Sequence, residues 1–175
     1  MLHLKDRQFE TFISQKQIKE KVTELALRIN QDYAGKELVF IVILNGSFMF
    51  AADLLKQITL TCRISFIKVS SYQHTQSTGN LTELIGLQEN ITQKDVVVIE
   101  DIVDTALTMD NVRQQLLQHR PASLEISTLL CKQEAMQRDI YLKYVGFTIP
   151  NRFVVGYGLD YDGIGRNYPE IYAEK

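Results

Sequence analysis

The sequence predicts an α/β fold with a mainly parallel central sheet flanked by helices. Apolar runs alternate with helical patterns along the chain, one run is apolar at every position, and polar residues gather where the runs end. A continuous apolar run is typical of a strand that is buried on both faces, as in a parallel sheet. Strand–helix–strand alternation indicates that helices cross between parallel strands.

The first half of the chain predicts two helices separated by a buried strand. Residues 15–34 form an amphipathic helix, because four apolar side chains recur at helical spacing, and Gly35 provides a stop. Residues 38–44 are the fully apolar strand. Gly46 and Ser47 then make a turn into the second helix. Its predicted apolar stripe consists of Phe48, Ala51, Leu55 and Ile58.

The second half continues the alternation. A polar stretch, residues 73–80, has the composition of an exposed mobile loop between two strands. Residues 105–119 form a helix that buries Met109, Val112 and Leu116. The predicted strands are residues 62–72, 81–87, 96–99 and 124–131, followed from residue 144 by short strands and turns.

Composition and charge exclude several functional classes. The 175 residues, 45% hydrophobic and 23% charged, fit one domain that buries its own core. The net charge of −2 gives no general attraction to nucleic acid or to an anionic membrane. The first 28 residues alternate charged and apolar side chains, and no apolar run reaches the length that spans a bilayer. We therefore expect a cytoplasmic protein without a signal peptide.

The segment VVVIEDIVDTALT places three carboxylates after a buried strand. Glu100, Asp101 and Asp104 repel one another, so they need a partner such as water, a cation or vicinal hydroxyls. Thr105 and Thr108 stand beside the free N–H groups of a helix start, which form an anion site. Ligands of parallel sheets bind at the carboxyl ends of the strands. A phosphorylated sugar presents both a diol and a phosphate to such a site.

Two other interpretations fit parts of this segment. Asp101 and Asp104 could simply cap the helix. A strand-end carboxylate could also hold Mg²⁺ in a nucleotide triphosphatase, but the sequence lacks the glycine-rich phosphate loop that such enzymes need. A dinucleotide oxidoreductase is disfavoured for the same kind of reason, since no GxGxxG follows a strand.

This segment resembles the phosphoribosyl pyrophosphate (PRPP) signature of the type I phosphoribosyltransferases. The segments LNGSFMFAADL, SSYQHTQSTG and VGFTIPNRFVVGYGLDY resemble the hypoxanthine-guanine branch, and the resemblance runs from about residue 38 to residue 166. It implies a type I phosphoribosyltransferase fold in one domain, residues 1–175, with a core over about residues 38–140. The N-terminal segment and about residues 144–175 would form a small hood.

The resemblance also implies an activity and a set of ligands. The enzyme would move the 5-phosphoribosyl group of PRPP to N9 of hypoxanthine, with guanine as a second candidate, and would form IMP or GMP and pyrophosphate in purine salvage. Mg²⁺ would be the cofactor, and neither nucleic acid nor a membrane would be a partner. A homodimer or a homotetramer is expected.

The PRPP site follows from the matching positions. Glu100 and Asp101 would bind the ribose hydroxyls, directly or through Mg²⁺, because carboxylates accept from both hydroxyls and tolerate a hard cation. Asp104 would lie near N7 of the purine as the catalytic general base or electrostatic partner. The predicted PRPP-binding residues are Glu100, Asp101, Asp104, Thr105, Ala106, Leu107 and Thr108, and the predicted metal ligands are Glu100, Asp101 and Asp160.

The base site is implied in the same way. Lys132 would donate to the 6-oxo group, Phe153 would stack on the base, and the Val154 backbone would pair with the purine edge. Asp160 would bind a second Mg²⁺ beside the purine, and Arg166 would meet pyrophosphate. Core packing is the alternative for Phe153 and Val154, and a turn role is the alternative for Asp160.

The pyrophosphate loop would include Asn45 and Gly46, with a cis peptide bond between Leu44 and Asn45. Ser71 and Tyr72 would begin the mobile loop that closes over the reacting centre. Two positions depart from the family pattern. Asn45 stands where many relatives have Lys or Arg, and Ala106 replaces a usual glycine, which is tolerable with a negative φ and strained with a positive one.

The sequence is also compatible with three rival functions. A PRPP-sensing regulator could keep the fold without catalysis, although it would need a basic surface or an added DNA-binding domain. A phosphoribosyltransferase for another base is distinguished by Lys132 and Phe153. A Mg²⁺-dependent nucleotide hydrolase is the third.

Overall fold

Two sheets organise the chain in the computed structural model, which describes the backbone of residues 1–72 and 81–175 and the side chains of residues 1–69 and 86–175. The strands are β1 (Leu2–Leu4), β2 (Arg7–Ile13), β3 (Leu38–Leu44), β4 (Cys62–Tyr72), β5 (Leu81–Ile85), β6 (Asp95–Val103), β7 (Ser123–Cys131), β8 (Tyr144–Thr148), β9 (Val154–Val155) and β10 (Ile171–Glu174). The α-helices are α1 (Gln15–Asp32), α2 (Phe48–Leu55) and α3 (Leu107–Leu117), and a 3₁₀ turn covers Gln133–Ala135.

The larger sheet has six strands in the order β5-β4-β3-β6-β7-β8. Five adjacent strands pair in parallel, in the order β4, β3, β6, β7 and β8. Strand β5 runs antiparallel to β4 at one edge. The predicted mainly parallel sheet is therefore confirmed. Because all five parallel strands end on the same side, the polar residues that follow β3, β6 and β7 are brought to one edge.

The central strand β3 separates two hydrophobic clusters. Leu38, Phe40 and Val42 face the cluster that includes α1 and α2. The alternate side chains face the cluster that includes α3; they are Val39, Ile41 and Ile43. A strand covered on both faces has no polar position, which explains the unbroken apolar run in its sequence.

The helices follow the predicted pattern, with one correction. Helix α1 begins at a capping box between Ser14 and Gln17 and buries the four predicted apolar side chains. The predicted stripe of α2 was wrong at Phe48, which is 43% exposed, whereas Phe50, Ala51 and Leu54 are buried. The sequence of this short helix, FMFAADLL, is apolar almost all the way round, so periodicity could not select the buried face.

Strand β6 is longer than predicted. The sequence suggested a strand over residues 96–99, but pairing with β7 continues through Glu100 and Ile102 to Val103. Glu100 and Asp101 therefore lie inside the strand, not after it. Helix α3 correspondingly begins at residue 107 and ends at residue 117, within the predicted 105–119, and buries its three predicted apolar side chains.

The smaller sheet is antiparallel, in the order β1-β2-β10-β9, and forms a hood over the larger one. Strand β10 pairs with both β2 and β9, so the last strand of the chain is held against the N-terminal β1–β2 hairpin. Among the described residues, no helix is long and apolar enough to cross a membrane.

The predicted mobile loop, residues 73–80, lies outside the described residues. Its predicted first residues, Ser71 and Tyr72, end β4 and pair through the backbone with Thr82 and Leu81 of β5. The predicted return strand is thus present over residues 81–85.

Tyr157 ties the segment after β9 to α2, since its buried hydroxyl donates to Asp53 Oδ2 at 2.7 Å. Tyr157→Phe should lower the free energy of unfolding by about 1 kcal/mol, because the Asp53 carboxylate loses this hydroxyl donor and keeps its ion pair with the exposed Lys56. Urea unfolding measures this. Tyr141→Phe is the matched control: its ring is 74% exposed, so the change should be within about 0.5 kcal/mol. Equal effects at the two positions would contradict the role of the Tyr157 hydroxyl.

Candidate active site

The turn after β3 lies directly against the acidic end of β6. A Cβ atom built on Gly46 would fall inside the Asp101 carboxylate, so the backbone of Gly46 and that carboxylate share one small space. The peptide bond between Leu44 and Asn45 is cis, as the resemblance implied. The Asn45 side chain is exposed, and the buried Ser47 hydroxyl donates back to the Ile43 carbonyl. The predicted pyrophosphate turn and the predicted ribose-binding acid therefore meet.

A second loop closes on the same point. Gly158 has φ +102°, and a Cβ there would collide with the Gly46 carbonyl. Arg166 holds this loop by donating from Nη1 to the Gly158 carbonyl at 2.7 Å and by pairing its Nη2 with Asp160 Oδ1 at 2.6 Å. The other Asp160 oxygen accepts from the Gly163 N–H at 2.7 Å. Asp160 and Arg166 are thus partners of each other.

Glu100 and Asp101 form a close acidic pair in which one member is buried. Glu100 is 9% exposed and accepts from the Asp101 N–H at 2.9 Å, while Asp101 Oδ1 accepts from the Ile102 N–H at 2.8 Å. Burial, and then the adjacent Asp101 carboxylate, raise the pKa of Glu100 well above its usual range. A cation or two sugar hydroxyls placed here would relieve that cost.

Asp104 and Lys132 form an ion pair at the ends of β6 and β7. The Lys132 amine lies 2.7 Å from Asp104 Oδ2, and the lysine backbone N–H donates to the Val103 carbonyl at 2.9 Å. Lys132 is 7% exposed, so it is not a charge solvated at the surface. A buried ammonium needs such a partner, because an unpaired one would carry a large desolvation penalty.

The predicted phosphate loop lies between β6 and α3. It lines a cavity of about 100 Å³ together with the strand end; the lining residues are Glu100, Ile102, Val103, Asp104, Thr105, Ala106, Thr108 and Met109. Ala106 has φ +65°, so the condition for strain that the sequence raised is met. A left-handed conformation costs a non-glycine residue about 1–2 kcal/mol. Leu107 and Thr108 are exposed at the first turn of α3.

The hood supplies Phe153 and Val154. Phe153 is 38% exposed, and its ring meets Tyr161 edge-on at 5.8 Å and the Arg7 guanidinium at 5.1 Å. Val154 is buried in β9 and pairs with Ala173 of β10. Phe153 is therefore available to a ligand, whereas the Val154 side chain belongs to the core.

The three predicted metal ligands do not form one cluster. Within the part of the chain whose side chains are described, no three acidic, histidine or cysteine residues lie close enough to hold an ion. Mg²⁺ is usually held by one or two carboxylates and by substrate phosphates, while keeping several waters. The carboxylate oxygens of Glu100 and Asp101 suit an ion that arrives with a phosphorylated substrate.

Sequence reasoning missed two participants in this neighbourhood. Arg7 lies over Phe153 and Tyr161 although it is far away in the chain, and no motif marked it. Gly158 lies in the segment VGFTIPNRFVVGYGLDY that resembles the family, but no role was predicted for it. Its close approach to Gly46 joins two loops. An isolated arginine in a strand gives no signal in a single sequence, whereas a Gly-x-Gly spacing could have suggested a tight loop.

Two larger cavities lie away from these residues. One, of about 700 Å³, is between α1 and α2, and the other, of about 630 Å³, lies beside the 3₁₀ turn. Neither is lined by the acidic segment or by the phosphate loop. Size alone does not identify the site, and the titratable groups that converge at the strand ends are the stronger indication.

Three comparisons with known proteins each find similarity to phosphoribosyltransferases. Residues 11–162 match the model of the phosphoribosyl transferase domain. A hypoxanthine-guanine phosphoribosyltransferase of Staphylococcus aureus (strain Mu50) is 44% identical over 163 residues, which cover 93% of this chain and 91% of the relative. The crystal structure of a hypoxanthine-guanine phosphoribosyltransferase from Bacillus anthracis superimposes with a TM-score of 0.89 at 41% identity, covering 97% of this chain and 100% of that one.

Gly46→Ala should disrupt the site, because its new methyl group must displace the Asp101 carboxylate. We expect a loss of PRPP binding and a fall in stability of about 2 kcal/mol or more. Adding Asp101→Ala should recover most of that stability, since the obstruction is gone, and chemical unfolding of the four members of this cycle measures the coupling. Additive effects in the cycle would contradict the close approach.

Glu100→Gln should stabilise the protein while weakening PRPP binding. A raised pKa means that the folded state favours the protonated carboxyl, so the wild-type protein loses stability as the pH rises from the unfolded-state pKa through the folded-state pKa. Glutamine has no proton to lose. The gain should be small near pH 4 and should grow as the pH rises to 8, and thermal unfolding of both proteins across this pH range measures it. A gain that does not grow with pH would refute this account of Glu100.

Proposed function

The chain belongs to the phosphoribosyltransferase family, and on that premise we propose that it transfers the 5-phosphoribosyl group of PRPP to N9 of hypoxanthine or guanine, with release of pyrophosphate. The observation that carries this proposal is the Asp104–Lys132 pair, 2.7 Å apart, beside the phosphate loop. An acid and a buried amine at the mouth of a sugar-phosphate site suit a purine that must lose a proton and present an oxygen.

The PRPP end of the site is formed by β6 and the loop after it. Glu100 and Asp101 would accept hydrogen bonds from the ribose hydroxyls, and their carboxylate oxygens would also be the ligands of a Mg²⁺ ion, which would offset the negative charge of PRPP. The backbone from Asp104 to Thr108, with the hydroxyls of Thr105 and Thr108, receives the 5′-phosphate at the start of α3. The cavity bounded by these residues supports this assignment.

Lys132 reads the 6-position of the base in this proposal. Its amine is a pure donor, so it matches the carbonyl oxygen of hypoxanthine or guanine and opposes the amino group of adenine. Before a base binds, the amine is held by Asp104 within the buried strand end. Phe153 stacks on the purine with the exposed part of its ring, and the Val154 backbone meets the purine edge.

The chemical step is a displacement at C1′ of the sugar. The bond from C1′ to the pyrophosphate oxygen breaks, the bond from C1′ to purine N9 forms, and the imidazole ring of the base gives its proton to the Asp104 carboxylate. The developing positive charge on the sugar is a further reason for acids at this edge of the sheet. The protein contributes mainly by positioning the reactants and by excluding water.

The departing pyrophosphate is assigned to the turn at Asn45 and Gly46 and to Arg166. Arg166 is now occupied by Asp160 and the Gly158 carbonyl, so it would have to exchange Asp160 for phosphate oxygens. Asp160, no longer paired with Arg166, would be a candidate ligand of a second Mg²⁺, an ion that would supply positive charge to offset that of the pyrophosphate. The segment that begins at Ser71 and Tyr72 would close over the centre and keep water out.

The same proposal covers the organisation and setting of the enzyme. We propose one domain over residues 1–175, acting in the cytoplasm on small molecules as a homodimer or a homotetramer. Regulation of nucleic acid is disfavoured by the net charge of −2.

An absorbance assay with PRPP, Mg²⁺ and hypoxanthine, guanine, xanthine or adenine in turn tests the proposal. Nucleotide should form from a 6-oxopurine, should require Mg²⁺, and should not form from adenine. Turnover of adenine alone would indicate another base specificity. PRPP binding without turnover of any base would favour the non-catalytic regulator and would point first to Asn45 and Ala106.

Asp104→Asn should reduce kcat by about 100-fold or more, because an amide cannot accept the proton, while the Kd for PRPP changes by less than about threefold. Stopped-flow turnover and calorimetric PRPP binding give the two numbers. Lys132→Ala is the companion variant, expected to lose base binding or discrimination against adenine. An equal loss of turnover and PRPP affinity in Asp104→Asn would argue against a role at the base.

A further inference from the structure

We infer that Arg7, on the hood strand β2, is a positioning residue of the purine pocket that holds the Phe153 ring in place for stacking. This inference rests on the proposed function, and it extends the site to the N-terminal strand. Its basis is a set of contacts that converge on Phe153 from β2, from β10 and from the loop after β9.

The Arg7 guanidinium lies against two aromatic rings at once. Its central carbon is 5.1 Å from the centroid of Phe153 and 4.7 Å from that of Tyr161. The two rings meet edge-to-face, with centroids 5.8 Å apart and an interplanar angle of 81°. A guanidinium at these distances is attracted to the ring faces, and an edge-to-face pair fixes the relative orientation of its members.

Glu174 connects the arginine to the backbone of Phe153. Arg7 Nη1 lies 3.2 Å from Glu174 Oε2, and the Glu174 backbone N–H donates to the Phe153 carbonyl at 2.9 Å. Glu174 thus pairs with Arg7 through its side chain and binds the backbone of Phe153 through its main chain. A displacement of Arg7 would loosen the ring without breaking a strand pair, because the pairing of β2 with β10 involves other backbone groups.

Phe153 needs such support because the core does not enclose it. The buried ring of Phe9 lies 6.2 Å from it in a tilted arrangement, and 38% of Phe153 remains exposed. A half-exposed ring that moves among rotamers must be ordered when a purine stacks on it, and the ordering reduces affinity for the base. Because Arg7 contacts the Phe153 ring in the free protein, the ring is already ordered before a base binds.

This role predicts an effect on the base and not on PRPP. Arg7→Ala should raise the KM for hypoxanthine about fivefold, the factor expected from losing one cation–π contact at a partly exposed site. The KM for PRPP and kcat should change by less than about twofold. Arg7→Lys keeps a cation near the rings but not the planar fork to Glu174, so its KM for hypoxanthine should lie between those of the wild type and the alanine variant.

Arg28→Ala provides the matched control. Arg28 lies on α1 with its guanidinium 5.5 Å from the Tyr144 centroid, and it donates to the Lys143 carbonyl at 3.3 Å. It therefore loses the same kind of aromatic contact outside the hood. Its KM values should equal those of the wild type, whatever happens to its melting temperature.

Steady-state kinetics of the four proteins, with hypoxanthine and PRPP varied separately and melting temperatures recorded, decide the question. A selective rise in the hypoxanthine KM in Arg7→Ala, partly restored in Arg7→Lys, supports the inference. Three results would overturn it: an unchanged hypoxanthine KM, a lower one, which would mean that Arg7 obstructs the base, or an equal rise in both KM values. An inactive wild-type protein would instead refute the proposed function. If Arg7→Ala fails to fold, Arg7→Lys against Arg28→Ala gives the same comparison.

Discussion

The rest of the site depends on the absence of a side chain at Gly46. The Asp101 carboxylate occupies the place where a side chain of residue 46 would lie, and the backbone of Gly158 lies against the Gly46 carbonyl. One residue without a side chain therefore brings together the end of β6, the turn after β3 and the loop that carries Asp160 and Arg166. Each of these segments is fixed at its far end by a sheet, so their approach at Gly46 sets the distance between the proposed sugar end and the proposed pyrophosphate end of the site.

Charge in this site is arranged at some cost to the fold. Glu100 is buried beside a second acid, Lys132 is buried with Asp104 as its partner, and Ala106 holds a left-handed backbone conformation. None of these features favours folding of the unliganded protein, and in the proposed function each would be relieved or used when a diol, a cation, a purine or a phosphate binds. Local conflicts of this kind are expected where function, not stability, determines the residue.

The sequence allowed the larger sheet to be predicted because its strands have a simple pattern. The unbroken apolar run of β3 is typical of a strand covered on both faces, and the spacing in α1 and α3 identified their buried faces. Helix α2 shows the limit of this reasoning, since the sequence of a helix that is apolar on all sides does not indicate which face is buried.

The candidate site could likewise be predicted only in part. The acidic segment and Lys132 stood out as residues that follow strands, but the Asp104–Lys132 contact, the approach of Gly158 to Gly46 and the position of Arg7 are products of tertiary structure. The sign of φ at Ala106 was also beyond the sequence, which showed that a positive value would be strained but not that Ala106 adopts one.

The most direct test of the account is a crystal structure of the protein with IMP, Mg²⁺ and pyrophosphate. The account predicts ribose hydroxyls within hydrogen-bond distance of Glu100 and Asp101, the 5′-phosphate on the backbone N–H groups of residues 104–108, and the purine against Phe153 with its 6-oxygen on Lys132. It also predicts that Gly46 and Gly158 stay in contact when the ligands are bound. A nucleotide bound elsewhere, or with its phosphate away from the loop before α3, would contradict the assignment of the site.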